Sequence, residues 1–109
     1  MKYIKRFDKK EKPKVGDYVL VKENLKNNPD LYKIIDFTSN NIGEIIFGKH
    51  LADDEITYDY KVKYNNVPHL LIPYFGEYYD RPMRRSEIVE WSENKIDLEI
   101  FLDAKKYNL

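Results

Sequence analysis

The chain has 109 residues, no cysteine, and 19 Lys+Arg against 19 Asp+Glu. That length supports one hydrophobic core; the lack of thiols excludes a disulfide framework, a cysteine nucleophile and a cysteine zinc site; and the charge balance removes the global basic field that drives non-specific nucleic-acid binding. No apolar run approaches the ~18 residues of a membrane span and the N-terminal dozen has no signal-peptide stretch, so a cytoplasmic chain with no membrane partner is expected.

Residues 1–14 carry seven cations (Lys2, Lys5, Arg6, Lys9, Lys10, Lys12, Lys14) against Asp8 and Glu11, a local excess of five. Such a run is a solvated arm, and Tyr3, Ile4 and Phe7 give it apolar residues that can touch the body of the protein. Gly16-Asp17 is a turn signal, and the β-branched and aromatic Tyr18-Val19-Leu20-Val21 then predicts a strand. Asn28 as N-cap and Pro29 at the first helical position predict a short helix over 28–38. Asn40-Asn41, which tolerate left-handed backbone, are expected to end it. Strand character resumes at Ile42-Gly43-Glu44-Ile45-Ile46-Phe47, with Gly43 read as a bend or bulge.

After an acidic tip at Asp53-Asp54-Glu55, residues 56–64 alternate strictly: Ile56, Tyr58, Tyr60, Val62 and Tyr64 against Thr57, Asp59, Lys61 and Lys63. This predicts a strand with one buried face, turned by Asn65-Asn66. Pro68 and Pro73 argue for an irregular path after it. Short strands are read at 81–85 and 88–91, with Ser86-Glu87 as a turn. A C-terminal helix over 92–107 has Ser92 as N-cap, Trp91 and Ile96 placed for a hydrophobic staple, and an apolar stripe of Ile96, Ile100, Phe101 and Ala104 widened by Leu98 and Leu102. The chain is thus one domain, 1–109: the arm, a β-rich body over 15–91 and a packing helix.

Short strands with glycine turns and a packing helix in so short a chain suggest a curled antiparallel barrel rather than a doubly wound sheet. The run Val15-Gly16-Asp17-Tyr18-Val19-Leu20-Val21, followed by Ile42-Gly43-Glu44-Ile45-Ile46, Tyr60-Lys61-Val62-Lys63-Tyr64 and Arg85-Ser86-Glu87-Ile88-Val89, resembles the small SH3-like barrels of the KOW and Tudor type. There a Gly-Asp turn opens the first strand and a short turn precedes the last. The resemblance spans about 15–91 and departs from the compact families in the helix at 28–38 and the long segment 67–84. It implies a mainly β (α+β) fold, an SH3-like barrel with an inserted helix, and a binding module, since such barrels bind peptides, modified tails, polymerase subunits or nucleic acid. The tail, with Ser86-Glu87-Ile88, Trp91 to Lys95 and Lys105 to Leu109, resembles short uncharacterised proteins of phages and large DNA viruses. Lys, Asn, Ile and Tyr supply 45 of the 109 residues while Gln is absent, the mark of an AT-rich genome. A viral or phage protein acting in the host cytoplasm is expected.

Catalytic signatures are missing. His50 and His69 have no third ligand at a metal-like spacing, no metal or other cofactor is expected, and Ser39, Ser86, Ser92, Thr38 and Thr57 lie outside any glycine-flanked elbow. Gly16, Gly43, Gly48 and Gly76 are too scattered to cradle a phosphate. The segment 74–85 is different: it holds Tyr74, Phe75, Tyr78 and Tyr79 with Met83 and three of the chain's four arginines, Arg81, Arg84 and Arg85. Guanidinium groups fork onto carboxylate or phosphate and stack on rings, and Tyr, Met and Arg are enriched at interface centres. The competing reading puts Tyr74 and Phe75 in the core and pairs the arginines with Glu87, Glu90 or Asp80.

The leading expectation is a non-catalytic protein-interaction module, an accessory or inhibitor protein docking through these eight residues, monomeric or weakly dimeric. The alternative is an RNA- or DNA-binding barrel in which Lys5, Arg6, Lys9 and Lys10 join the loop arginines on phosphates. An enzyme of unrecognised type ranks third.

Overall fold

A computed structural model describes residues 12–24, 31–48 and 60–106. The basic arm with Lys5, Arg6, Lys9 and Lys10, the helix start at Asn28 and Pro29, the acidic tip and the first half of the 56–64 strand lie outside the described residues.

The first strand is aimed by a turn to which this residue pair is suited. Gly16 has φ +98°, a conformation side chains rarely adopt, and the Asp17 amide and carboxylate both close on Lys14, donating to its carbonyl at 2.9 Å and accepting from its N–H at 3.0 Å. From there β1 (Tyr18–Val21), β2 (Gly43–Gly48), β3 (Tyr60–Lys63), β4 (Asp80–Met83) and β5 (Ile88–Ser92) form one antiparallel sheet in the order β4-β3-β2-β1-β5. Helix α1 (Tyr32–Ser39) and helix α2 (Lys95–Lys106) complete an α+β fold.

Strand order and link length together set the shape of the sheet. β4 and β5 are its two edges, yet only Arg84 to Glu87 separates them, and Arg85–Glu87 form a 3-10 turn. Four strand spacings of ~4.8 Å would hold flat edges about 19 Å apart, whereas a 3-10 turn advances only ~2 Å per residue. The sheet therefore curls until its edges approach at this link. The curl stops short of the closed barrel expected from the sequence: among the described residues β4 and β5 share no ladder. Pro82, which has no N–H to give, sits in β4, where an edge strand tolerates it.

Inside the curl, Val19, Val21, Ile45, Tyr60, Val62, Tyr64, Met83 and Ile88 form one buried cluster. The predicted alternation of β3 is seen directly, with Tyr60, Val62 and Tyr64 buried and Lys61 and Lys63 exposed. Phe37 of α1, Phe75 and Tyr64 meet edge to face at 5.7, 6.0 and 6.2 Å between centroids, an arrangement that aligns ring edges with ring faces.

Several local expectations need correction. The bulge between β2 and β3 falls between Ile45 and Phe47 rather than at Gly43; Gly43 is there because β3 passes so close to it. Asn40 and Asn41 end α1 without left-handed backbone. Their amide nitrogens instead donate to the Asp36 and Phe37 carbonyls at 2.7 and 2.8 Å, taking up the orphaned ends of the helix. The short strand read at 81–85 runs over Asp80–Met83, because Arg85 already belongs to the 3-10 turn. The C-terminal helix opens at Lys95, not at Ser92: Ser92 still belongs to β5, accepts from the Asn94 amide at 3.0 Å and donates to Asp97 at 2.7 Å. This shift rotates the helix. Leu98, Phe101 and Leu102 face inward, while Ile96 and Ile100 are exposed, so Ile96 is off the packed face expected for it.

A Cβ on Gly43 would collide with Val62 Cγ1 and lie 2.9 Å from the Tyr64 ring, and both side chains are buried with nowhere to move. Gly43→Ala is expected to destabilise the protein by roughly 1–3 kcal/mol, the usual cost of overpacking. A lower denaturation midpoint at unchanged m value would report it.

Candidate interaction surface

The segment 69–83 is built from local rules. Pro68 leads into a 3-10 helix over His69–Tyr74, which Pro73 cannot extend as an α-helix, and the Phe75 amide closes it on the Ile72 carbonyl at 2.9 Å. A tight turn follows, with the Tyr79 amide donating to the Gly76 carbonyl at 2.9 Å and the Gly76 amide to the Asp80 carbonyl at 2.7 Å. The buried Asp80 carboxylate accepts from the Tyr78 amide at 3.1 Å. Tyr79 is left-handed, φ 60°. The turn ties to β3 through the Tyr64 amide, which donates to the Tyr79 carbonyl at 3.0 Å.

The eight residues singled out by composition divide in two. Tyr74, Tyr78 and Tyr79 face solvent, 48, 63 and 47 % exposed. Met83 is fully buried in the core cluster and Phe75 packs against it. Arg81 points inward as well. Its Nε and Nη2 donate to both oxygens of Glu23 at 2.8 Å, its Nη1 donates to the Tyr74 carbonyl at 2.6 Å, and its guanidinium lies 5.6 Å from the centre of the Phe75 ring. The half-buried Arg85 lies 4.5 Å over the Trp91 ring and donates to the Ile88 carbonyl at 3.2 Å. Arg84 is half-buried too. Arg81 and Met83 are thus removed from the expected surface, and the tyrosines remain.

Composition did not single out the partner of Arg81. Glu23 lies 58 positions away, just past β1, with its side chain only 2 % exposed. Glu87, one of the acids expected to pair with an arginine, instead accepts backbone N–H groups of Arg84 at 2.7 Å and Asn24 at 3.0 Å. The only sequence signal for this arrangement is that Glu23 and Asn24 lie within three residues of the end of β1. Beside these acids sits the buried Tyr64 hydroxyl, which has no hydrogen-bond partner among the described residues. Burial above all, with Glu23 and Glu87 adding to it and Arg81 opposing, holds the Tyr64 phenol well above its usual range.

Elsewhere, α1 and α2 frame a groove of about 370 Å³ over β1 and β5, lined mainly by Leu20, Ile35, Val89, Phe101 and Leu102. Among the described residues no group of three or more His, Asp or Glu is placed to hold a metal ion, and no helix is long and apolar enough to cross a membrane. The fold and surface define a small α+β protein with a curled five-stranded sheet. No protein-family model, curated protein or solved structure matches the chain.

Removing either side of the Glu23–Arg81 pair leaves a charge buried and unpaired. Glu23→Ala and Arg81→Ala are each expected to cost about 3 kcal/mol or more. The double variant should cost clearly less than the two combined, a coupling readable from a denaturation cycle.

Tyr64→Phe removes a buried hydroxyl that lacks a partner and is expected to be neutral or stabilising by about 1 kcal/mol. The same residue sets a pH dependence. A phenol whose folded-state pKa is raised contributes stability that is complete below the unfolded value of about 10 and is lost as pH rises beyond it, by up to ~1.4 kcal/mol per pH unit. Wild-type stability should fall faster than that of Tyr64→Phe above pH 10, as followed by urea titrations at successive pH values.

Proposed function

We propose that the protein is a non-catalytic interaction module of the SH3-like barrel type that holds a protein partner against Tyr74, Tyr78 and Tyr79. The Gly-Asp turn before β1, the return of β5 to pair with β1 and the 3-10 turn before β5 support the barrel reading. One observation carries the functional reading: Tyr79 is left-handed and exposed.

Left-handed backbone costs a side chain roughly 1–2 kcal/mol that glycine would not pay. A large ring kept there, half exposed and beside the more exposed Tyr78, adds nothing to the core, and strained residues of this kind collect at functional sites. Tyrosine suits that role: it offers a broad rigid face, a hydrogen-bonding tip and little entropy to lose on docking. Arg81 orders the platform from beneath by holding the Tyr74 carbonyl while Glu23 neutralises it. This leaves the loop with less free positive charge than a phosphate-binding reading needs.

Tyr78→Ala and Tyr79→Ala, both on the surface, should leave the unfolding midpoint nearly unchanged and weaken capture of the partner in a nuclease-treated pull-down roughly 30-fold, as at an interface hot spot. Tyr79→Gly should hold or raise the midpoint and still lose capture. Full capture by all three variants overturns the proposal, and capture that disappears with nuclease transfers the surface to nucleic acid.

A further inference from the structure

Helix α2 carries a second, unrelated apolar feature. Ile96 is 61 % exposed and Ile100 48 %, one turn apart and so on one ridge, while Leu98 is fully buried on the opposite side. The ridge has acidic borders. Glu93 lies three residues before Ile96, Glu99 three after it and Asp103 three after Ile100, all exposed, and Lys95 is the one cation between residues 86 and 104. An occupant must therefore bring apolar side chains flanked by positive charge.

The chain contains one segment of that description. Its first eleven residues hold Tyr3, Ile4 and Phe7 among Lys2, Lys5, Arg6, Lys9 and Lys10. They lead into β1, which opens with Tyr18 paired to Ser92, three residues before α2. Eleven extended residues span up to about 36 Å, ample to follow a helix of ~18 Å.

We infer that the basic N-terminal arm docks on the Ile96–Ile100 ridge of its own chain. Tyr3, Ile4 and Phe7 cover the isoleucines, and the surrounding lysines and Arg6 face Glu93, Glu99 and Asp103. The zero net charge of the protein then consists of two complementary poles brought together, and anything that competes for the arm uncovers α2.

The absence of cysteine makes a direct test simple. Asp8→Cys places a single nitroxide spin label on the full chain, and the amide resonances of 93–103 are compared with the label oxidised and reduced. Docking predicts that these resonances lose most of their intensity at low salt, independent of protein concentration, and recover when the Debye length falls to about 3 Å at 1 M salt. Two further variants on exposed positions, Ile96→Ser with Ile100→Ser and Glu99→Lys with Asp103→Lys, should each restore the signals while the rest of the spectrum stays folded. Unaffected α2 resonances overturn the inference, as does quenching confined to other elements. Quenching that survives both double variants also overturns it. If it appears only when spin-labelled chains are mixed with isotope-labelled ones, a second copy is the occupant and the intramolecular assignment fails.

Discussion

The ion pair between Glu23 and Arg81 ties the end of β1 to the edge strand β4, two strands that are not neighbours in the sheet. Only a curled sheet brings those ends together, so the pair and the four-residue link from Met83 to Ile88 impose the same geometry. Glu87 fastens the link from the other side by accepting amides from Arg84 and Asn24. Burying such a pair gains little net energy, because desolvation of the two charges offsets most of their attraction. Its contribution is positional: a forked guanidinium on a carboxylate accepts one alignment, where an apolar contact would accept many.

The same guanidinium organises the surface. With two nitrogens on Glu23 and one on the Tyr74 carbonyl, Arg81 fixes where the 3-10 helix ends, and its face against Phe75 keeps that ring in the core. The chain then turns through Gly76 and presents Tyr78 and Tyr79 outward. Platform and core are thus two sides of one construction. An exposed aromatic pair on a loose loop would lose entropy on binding; here backbone bonds to Asp80 and Tyr64 have already fixed its position.

How far the sequence foretold this depends on the range of the interaction involved. β1, the buried alternation of Tyr60, Val62 and Tyr64, the Gly-Asp turn and a turn at Ser86-Glu87 all follow from neighbours within a few residues, and all are present. The start of α2 departs from the local signal because a tertiary contact decides it: Ser92 pairs with Tyr18 and is drawn into β5, which delays α2 by nearly a turn and leaves Ile96 outward. In the loop, residue type marked the right segment but not the direction of each side chain. Arginines rich in binding chemistry are equally suited to buried pairs, and nothing local distinguishes Arg81, whose acid lies 58 residues away, from Arg85, which rests on Trp91. Met83 lies in the core for the same reason, since interfaces and cores draw on one set of apolar residues.

The pairing of Tyr18 with Ser92 also shapes how the protein folds. β1 meets β2 about 25 residues later, but among the described residues its other edge is satisfied by β5, about 70 positions on. Contacts of that separation are slow to form because the intervening chain must be ordered first. During synthesis, β1 therefore waits with the N–H and C=O groups of one edge unpaired until Ser92 has emerged, and the meander of β1 to β4 stands as an open sheet in the meantime. The nascent chain is most prone to edge-to-edge association in that interval.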